Sequence, residues 1–185
     1  MSQRDGYQTL RDLGYKEMSP RHYYKHLGEE AEHNLDYKGA IANFNTAADL
    51  YYKEKSLTAA RECQIKSAKC SIMIFEHKDA YKLYDQVARS YINNDLTKWS
   101  ANGYYFHAIL CLLNYSDLNT AYTRLVEYED EFYLFNDSKQ SRFLYDVIEA
   151  MREKNVSKFT EQVKNYPSKF EPLTTALLLR LKKMC

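Results

Sequence analysis

Three stretches of the chain repeat one helical spacing of small and large apolar residues, and this narrows the possible folds more than any other feature. "DYKGAIANFNTAADLYYKEKS" sets Ala40, Ile41, Phe44, Ala47, Ala48 and Tyr51 on one face of an amphipathic helix, with Asp36 as its N-cap. "HKDAYKLYDQVARSYINND" does the same with Ala80, Leu83, Tyr84, Val87, Ala88 and Tyr91, and "NTAYTRLVEYEDEF" with Ala121, Leu125, Tyr128 and Phe132. The leading alanines mark a repeat of about 40 residues. Between these stretches lie "SPRHYYKHLGEEAEHNL", with Ser19 as cap and Pro20 at the first helical position, then "SLTAARECQIKSAKCSIMIF", capped by Ser56, and "LTKWSANGYYFHAILCLL". Each repeat therefore reads as a helix pair. Alanines beside aromatics suit close packing of antiparallel helices, so the expected fold is all-α, a right-handed TPR-like helical-hairpin solenoid. After residue 136 the period decays into three shorter helices. The expected organisation is helical repeats over 1–136 and a C-terminal capping helical bundle over 137–185, in one continuous domain.

Composition agrees with this reading. Gly and Pro number only 5 and 3 in 185 residues, too few turn signals for a hairpin-rich β fold. A net charge of +1 argues against a chain built to coat a phosphate backbone. Cys63, Cys70, Cys111 and Cys185 have no metal-ligand spacing, and Cys63 and Cys70, seven residues apart on one helix, lie about 10 Å apart, too far for a disulfide. Reduced thiols in a cytoplasmic protein are expected. The N-terminal "MSQRDGYQTLRDLGY" has no apolar core of a signal peptide, and no stretch approaches the ~20 apolar residues a membrane span needs. At the other end, "EPLTTALLLRLKKMC" sets Leu173, Leu177, Leu181 and Met184 on one stripe with Leu178 beside it, a helix that seals the last layer.

Few residues suggest chemistry. His22 and His26 have a metal-sharing spacing, but no Glu directly follows His22, so the metalloprotease pattern fails and two surface histidines are the plainer reading. "RHYYKH" interleaves basic and aromatic residues, yet one short stretch in a nearly neutral chain does not make a nucleic-acid surface. No phosphate loop, nucleophile elbow or Cys–base pair is present, so no enzyme, cofactor or metal is expected. What remains are charged helix faces: scattered lysines and arginines, and an acidic run "EYEDE" at 127–131 joined by Glu149 and Glu153. Most residues in such runs are merely solvated.

The stretches "GAIANFNTAADLYYKEKSLTAARECQIKSA", "AYKLYDQVA", "LTKWSANGYYFHAILCLL" and "TEQVKNYPSKFEPLTTALLLRLKK" together resemble the soluble NSF attachment protein (SNAP) family, its alpha form most of all. The resemblance runs from about Tyr7 to Lys183. It implies an adaptor whose basic face grips a syntaxin-type SNARE four-helix bundle and which recruits the ATPase NSF to pull that bundle apart after membrane fusion. It also implies a cytoplasmic protein held peripherally at membranes through its SNARE partners.

By position, the resemblance implies SNARE contacts at Arg21, Lys66, Lys98 and Lys139, and NSF contacts at Asp117, Glu149 and Glu153. Glu62 and Asn102 stand where the family tends to carry lysine, so Glu62 is expected to weaken attraction to an acidic bundle. The family's N-terminal repeats, with their bilayer-touching loop, and its acidic C-terminal tail have no counterpart in this sequence. Two other readings follow: a generic helical-repeat scaffold for acidic or helical peptides, and a short inhibitory form that grips SNAREs without stimulating the ATPase.

Overall fold

A computed structural model describes residues 18–92 and 97–185. The charged N-terminal stretch and the close of the second repeat stretch at 93–96 lie outside the described residues. Among those residues the secondary structure is entirely helical: α1 Pro20–His33, α2 Tyr37–Lys53, α3 Leu57–Met73, α4 His77–Ile92, a 3-10 turn Lys98–Ser100, α5 Ala101–Tyr115, α6 Leu118–Glu131, α7 Tyr133–Asn136, α8 Lys139–Arg152, α9 Val156–Asn165 and α10 Pro172–Met184. Successive helices form the hairpins expected of a TPR-like architecture. The chain divides into two compact units, 1–70 and 71–185. The 136/137 boundary expected from sequence lies within the second.

One turn recurs with the same bonding. Leu35, Lys55, Phe75 and Lys154 have φ of 61°, 59°, 63° and 53°. In each case the following N–H bonds the carbonyl five residues back: Asp36 to Ala31 at 2.8 Å, and Ser56 to Tyr51, Glu76 to Ser71 and Asn155 to Ala150 at 2.9 Å. This is the left-handed C-terminal helix cap, and it satisfies carbonyls the helix leaves unpaired. A helix plus its turn takes about 20 residues, so two give the repeat of about 40. All four turns run directly into a helix start: the Asp36 side chain accepts from the Gly39 N–H and Asn155 from the Lys158 N–H, while the Ser56 and Glu76 carbonyls receive the Ala60 and Ala80 N–H groups. Asp117 and Ser138 cap α6 and α8 in the same way. Ser19 precedes Pro20 as expected, but its hydroxyl makes no cap bond. It lies 2.8 Å from His22 Nδ1 and is hydrogen-bonded there instead.

In the first unit, α1 and α2 pack closely over a core of Ala40, Phe44, Ala47, Ala48 and Tyr51 from α2 and Ala60, Cys63 and Cys70 from α3. These are the α2 positions expected to face inward, except that Ile41 is only partly buried. Gly28 of α1 meets the ring of Phe44: a Cβ there would lie 2.6 Å from Phe44 Cδ1 and Cε1. Only a residue without a side chain permits that approach.

In the second unit, α5 is the central helix. Ten of its 15 residues are buried, so it is apolar on nearly every side. It packs on α4, α6, α8 and α10. A polar network ties α4 to α6: Arg89 Nε donates to both Asp85 oxygens at 3.1 Å, Arg89 Nη1 lies 2.6 Å from Glu131 Oε2, and the Tyr128 hydroxyl donates to Asp85 Oδ1 at 2.6 Å. Burial opposes charge on Arg89, but Glu131 and Asp85 outweigh it and raise its pKa. The terminal helix seals the unit, although its inner face is not the expected stripe. Thr174, Leu177, Leu178 and Leu181 face inward, Leu173 is half-buried and Met184 is exposed. Thr174 is drawn in because its hydroxyl lies 3.0 Å from His107 Nε2 and is hydrogen-bonded to it.

Candidate functional site: charged faces of the two units

In the first unit each basic residue singled out from sequence is held by a carboxylate of the same unit. Arg21, at the start of α1, pairs with Glu54 and stacks 5.9 Å over the Tyr51 ring. Lys66, on α3, lies 2.7 Å from Glu29 and 5.4 Å over the Phe44 ring. Between them Lys25 donates to Glu62 at 2.9 Å. Burial disfavours the Lys25 charge, but its hydrogen bond and attraction to Glu62 prevail and its pKa rises. Glu62, expected to weaken attraction to an acidic bundle, is thus paired with Lys25 within the unit. The three pairs bind α1 to α2 and to α3, and all are partly exposed. Each stabilises the unit by only about 0–1 kcal/mol. Their main effect is to fix where the cations sit.

The second unit carries the other expected contacts. Lys98 is half-buried in the 3-10 turn. Lys139 opens α8, donates to Ser168 Oγ at 2.7 Å and lies 5.6 Å over the Tyr166 ring. Asn102 donates to the Leu134 carbonyl at 3.2 Å and joins α5 to α7.

On the acidic side, Asp117 is a helix cap. It accepts from the Thr120 hydroxyl at 2.7 Å and the Thr120 N–H at 2.9 Å, and these bonds lower its pKa. Glu149 and Glu153 are brought together by Lys158, whose Nζ lies 3.0 Å from each. Hydrogen bonds that Lys158 donates to both carboxylates raise its pKa. Glu149 also borders a polar cleft of about 270 Å³ with Asp146, Tyr122, Tyr145 and Arg152. Burial and the nearby Glu149 raise the Asp146 pKa. Among the described residues no hydrogen bond or ion pair joins Asp117 to Glu149 or Glu153.

The acidic run at 127–131 is mostly engaged within the unit. Glu127 meets Arg124 at 2.7 Å and Glu131 meets Arg89. Glu129 accepts from the Ser141 hydroxyl and, at 2.7 Å, from the Tyr145 hydroxyl, so it anchors α6 to α8. The i,i+4 pair Asp85/Arg89 was readable from spacing. The reach of Glu129 to α8 was not.

His22, His26 and three of the cysteines are accounted for structurally. His22 is taken by Ser19 and by an edge contact 5.8 Å from Tyr51, while His26 faces Glu30 at 3.8 Å. Among the described residues no cluster of three metal-ligating side chains occurs. Cys63, Cys70 and Cys111 are buried free thiols. Burial pushes the first two up to about 11 and raises Cys111 as well, so they are protonated and inert at neutral pH. No helix among the described residues is long and apolar enough to cross a membrane.

The family model described as "Soluble NSF attachment protein, SNAP" matches residues 6–185. The chain is 33% identical over 175 residues to the alpha-soluble NSF attachment protein of Homo sapiens, covering 93% of this chain and 59% of that protein. It is 33% identical over 174 residues to the Dictyostelium discoideum alpha protein, covering 92% and 59%, and 31% identical over 163 residues to that of Vitis vinifera, covering 87% and 56%. The chain thus spans about three fifths of the length of the curated relatives it matches. With the match running through every described helix of both units, this chain belongs to the soluble NSF attachment protein family.

Proposed function

We propose that the chain acts as a non-enzymatic adaptor in SNARE-complex disassembly. In this reading it holds an assembled SNARE four-helix bundle through basic residues and recruits the ATPase NSF through acidic ones, associating peripherally with membranes through the SNAREs. The observation that carries the reading is the family match over residues 6–185. A coiled-coil bundle with an acidic surface is a natural target for cations held on helical hairpins, because pre-positioned side chains lose little entropy on binding.

The SNARE-facing cations proposed are Arg21, Lys66, Lys98 and Lys139, and the NSF-facing anions Asp117, Glu149 and Glu153. Arg21 and Lys66 then act by exchange, a partner carboxylate taking the place of Glu54 or Glu29. Glu149 and Glu153, gathered around Lys158 beside an open polar cleft, offer a compact site for a basic side chain.

The test is NSF-dependent disassembly of a purified SNARE bundle with this chain as adaptor. Arg21→Glu with Lys66→Glu is expected to abolish bundle binding and disassembly together. Glu149→Lys with Glu153→Lys is expected to abolish NSF recruitment while bundle binding persists. Undiminished disassembly by the first pair would remove the basic-face assignment.

A further inference from the structure

The hairpin of α9 and α10 carries a feature that neither charged face uses. An open cleft of about 220 Å³ lies between the two helices, with Phe159 and Leu178 at its base, Phe170 and Leu179 beside them, and Lys164 and Lys182 among its lining residues. Phe159 and Leu178 are almost wholly buried, whereas Leu179 is 56% exposed, alone among the four leucines at 177–181 in facing out. The Phe170 ring is fixed by stacking on Tyr166 at 4.5 Å and on Phe106 at 6.4 Å, so this side of the cleft is preformed. A second hollow, bordered by the exposed Val156 and by Glu161, shares Thr160, Lys164 and Lys182 with the first and extends it into one groove along α9.

Charge selects the occupant. Among the described residues Lys164 and Lys182 form no ion pair, in contrast to Arg21, Lys25, Lys66 and Lys158. Two lysines without ion pairs lining an apolar cleft, against the single carboxylate of Glu161 in the adjoining hollow, favour an apolar group next to carboxylates. The cleft of about 220 Å³ has room for one or two side chains and the adjoining hollow of about 480 Å³ for the residues that flank them, which favours a peptide. We propose that the α9/α10 groove docks a short acidic peptide of a partner protein, one large apolar side chain entering the cleft and flanking carboxylates meeting Lys164 and Lys182.

The test titrates the full chain with a fluorescein-labelled peptide, Asp-Glu-Leu-Phe-Glu-Asp. Asp-Glu-Ala-Ala-Glu-Asp and Lys-Lys-Leu-Phe-Lys-Lys serve as controls, and octanoate and phosphatidylserine vesicles as competitors. The expected result is saturable binding of the first peptide only, with amide chemical-shift changes confined to α9 and α10. Binding should weaken at least tenfold in Lys164→Glu/Lys182→Glu and in Leu179→Ser, whose side chain is too exposed for its loss to unfold the protein. The Arg21→Glu/Lys66→Glu variant should bind the peptide unchanged, separating this groove from the proposed SNARE-binding cations. The proposal is overturned if the first peptide binds no better than its controls, if its affinity survives both groove variants, or if octanoate or vesicles displace it.

Discussion

Gly28→Ala and Gly103→Ala are expected to change stability in opposite directions, although both add one methyl to a helix. A methyl at Gly28 would sit 2.6 Å from two Phe44 ring carbons and 3.0 Å from a third. Carbon atoms pack best at about 3.5–4.0 Å, so roughly 1 Å must be found. The ring cannot supply it, because Phe44 is fully buried among Ala40, Ala47 and Ala48, themselves at or near zero exposure. Helix α1 must therefore lift from α2. Overpacking of this kind costs about 1–3 kcal/mol, against a gain of about 1 kcal/mol from replacing glycine inside a helix. With a rigid neighbour the upper part of that range applies, and the expected net loss is about 1–2 kcal/mol, or about 2–8 °C in melting temperature. At Gly103 a methyl would meet nothing within 4 Å, so only the propensity gain of up to about 1 kcal/mol remains. Melting followed by circular dichroism measures both, and hydrogen exchange locates the first effect in α1 and α2. Phe44→Leu in the Gly28→Ala background should recover part of the loss. If Gly28→Ala proved as stabilising as Gly103→Ala, the close α1–α2 approach would be refuted.

Other outcomes follow from single contacts. Lys55→Gly and Lys154→Gly, which place glycine at φ of 59° and 53°, should each stabilise by about 1 kcal/mol in urea titrations; a loss would contradict the left-handed turn. Tyr128→Phe should cost about 1–2 kcal/mol, read the same way, because Asp85 loses a part-buried hydrogen bond. Asp117, whose pKa is lowered by its Thr120 bonds, contributes stability that is complete above the ordinary aspartate pKa and lost as pH falls through the folded value. In Asp117→Asn that acid-side dependence should shrink, which a pH series of melting curves would detect. Glu29→Gln with Glu54→Gln, by releasing Lys66 and Arg21, should strengthen binding to an acidic helical bundle several-fold in low salt, and unchanged affinity would count against exchange at these cations.

The helices were legible in the sequence because their inner faces are periodic and their starts carry ordinary caps. Asp36 does what its position predicts, receiving the Gly39 N–H at 3.0 Å. Helix ends were harder to see. Leu35, Lys55, Phe75 and Lys154 occupy a conformation that usually selects glycine or asparagine, so no residue type announced the turn. The terminal helix misled for a different reason. Hydrophobicity alone put Met184 inside, but a hydrogen bond to His107 rotates Thr174 inward and leaves Met184 in solvent. The charged candidates were identified by type and not by state. Lys25 and Glu62, like Lys66 and Glu29, are separated by 37 residues, close to one repeat, so the fold returns each cation to a carboxylate that no local window shows beside it.

That pairing alters what the basic residues imply for binding. If Arg21, Lys25 and Lys66 were solvated, each contact with an acidic partner would add an ion pair and release screening ions, and affinity would fall steeply with salt. Here each cation already has a carboxylate, so the proposed docking would replace one ion pair by another and free Glu54, Glu62 or Glu29 to solvent. The net electrostatic gain per exchanged contact is the difference between two partly exposed pairs, each worth no more than about 1 kcal/mol. Discrimination then rests on geometry: a partner must present carboxylates at the positions where Tyr51 and Phe44 hold Arg21 and Lys66, or the exchange gains nothing. The salt dependence of bundle binding should accordingly be shallower for this chain than for its Glu29→Gln/Glu54→Gln variant, in which Arg21 and Lys66 are unpaired before contact. Equal slopes for the two would mean that the internal pairs are already broken in solution, and that the cations bind as independent charges.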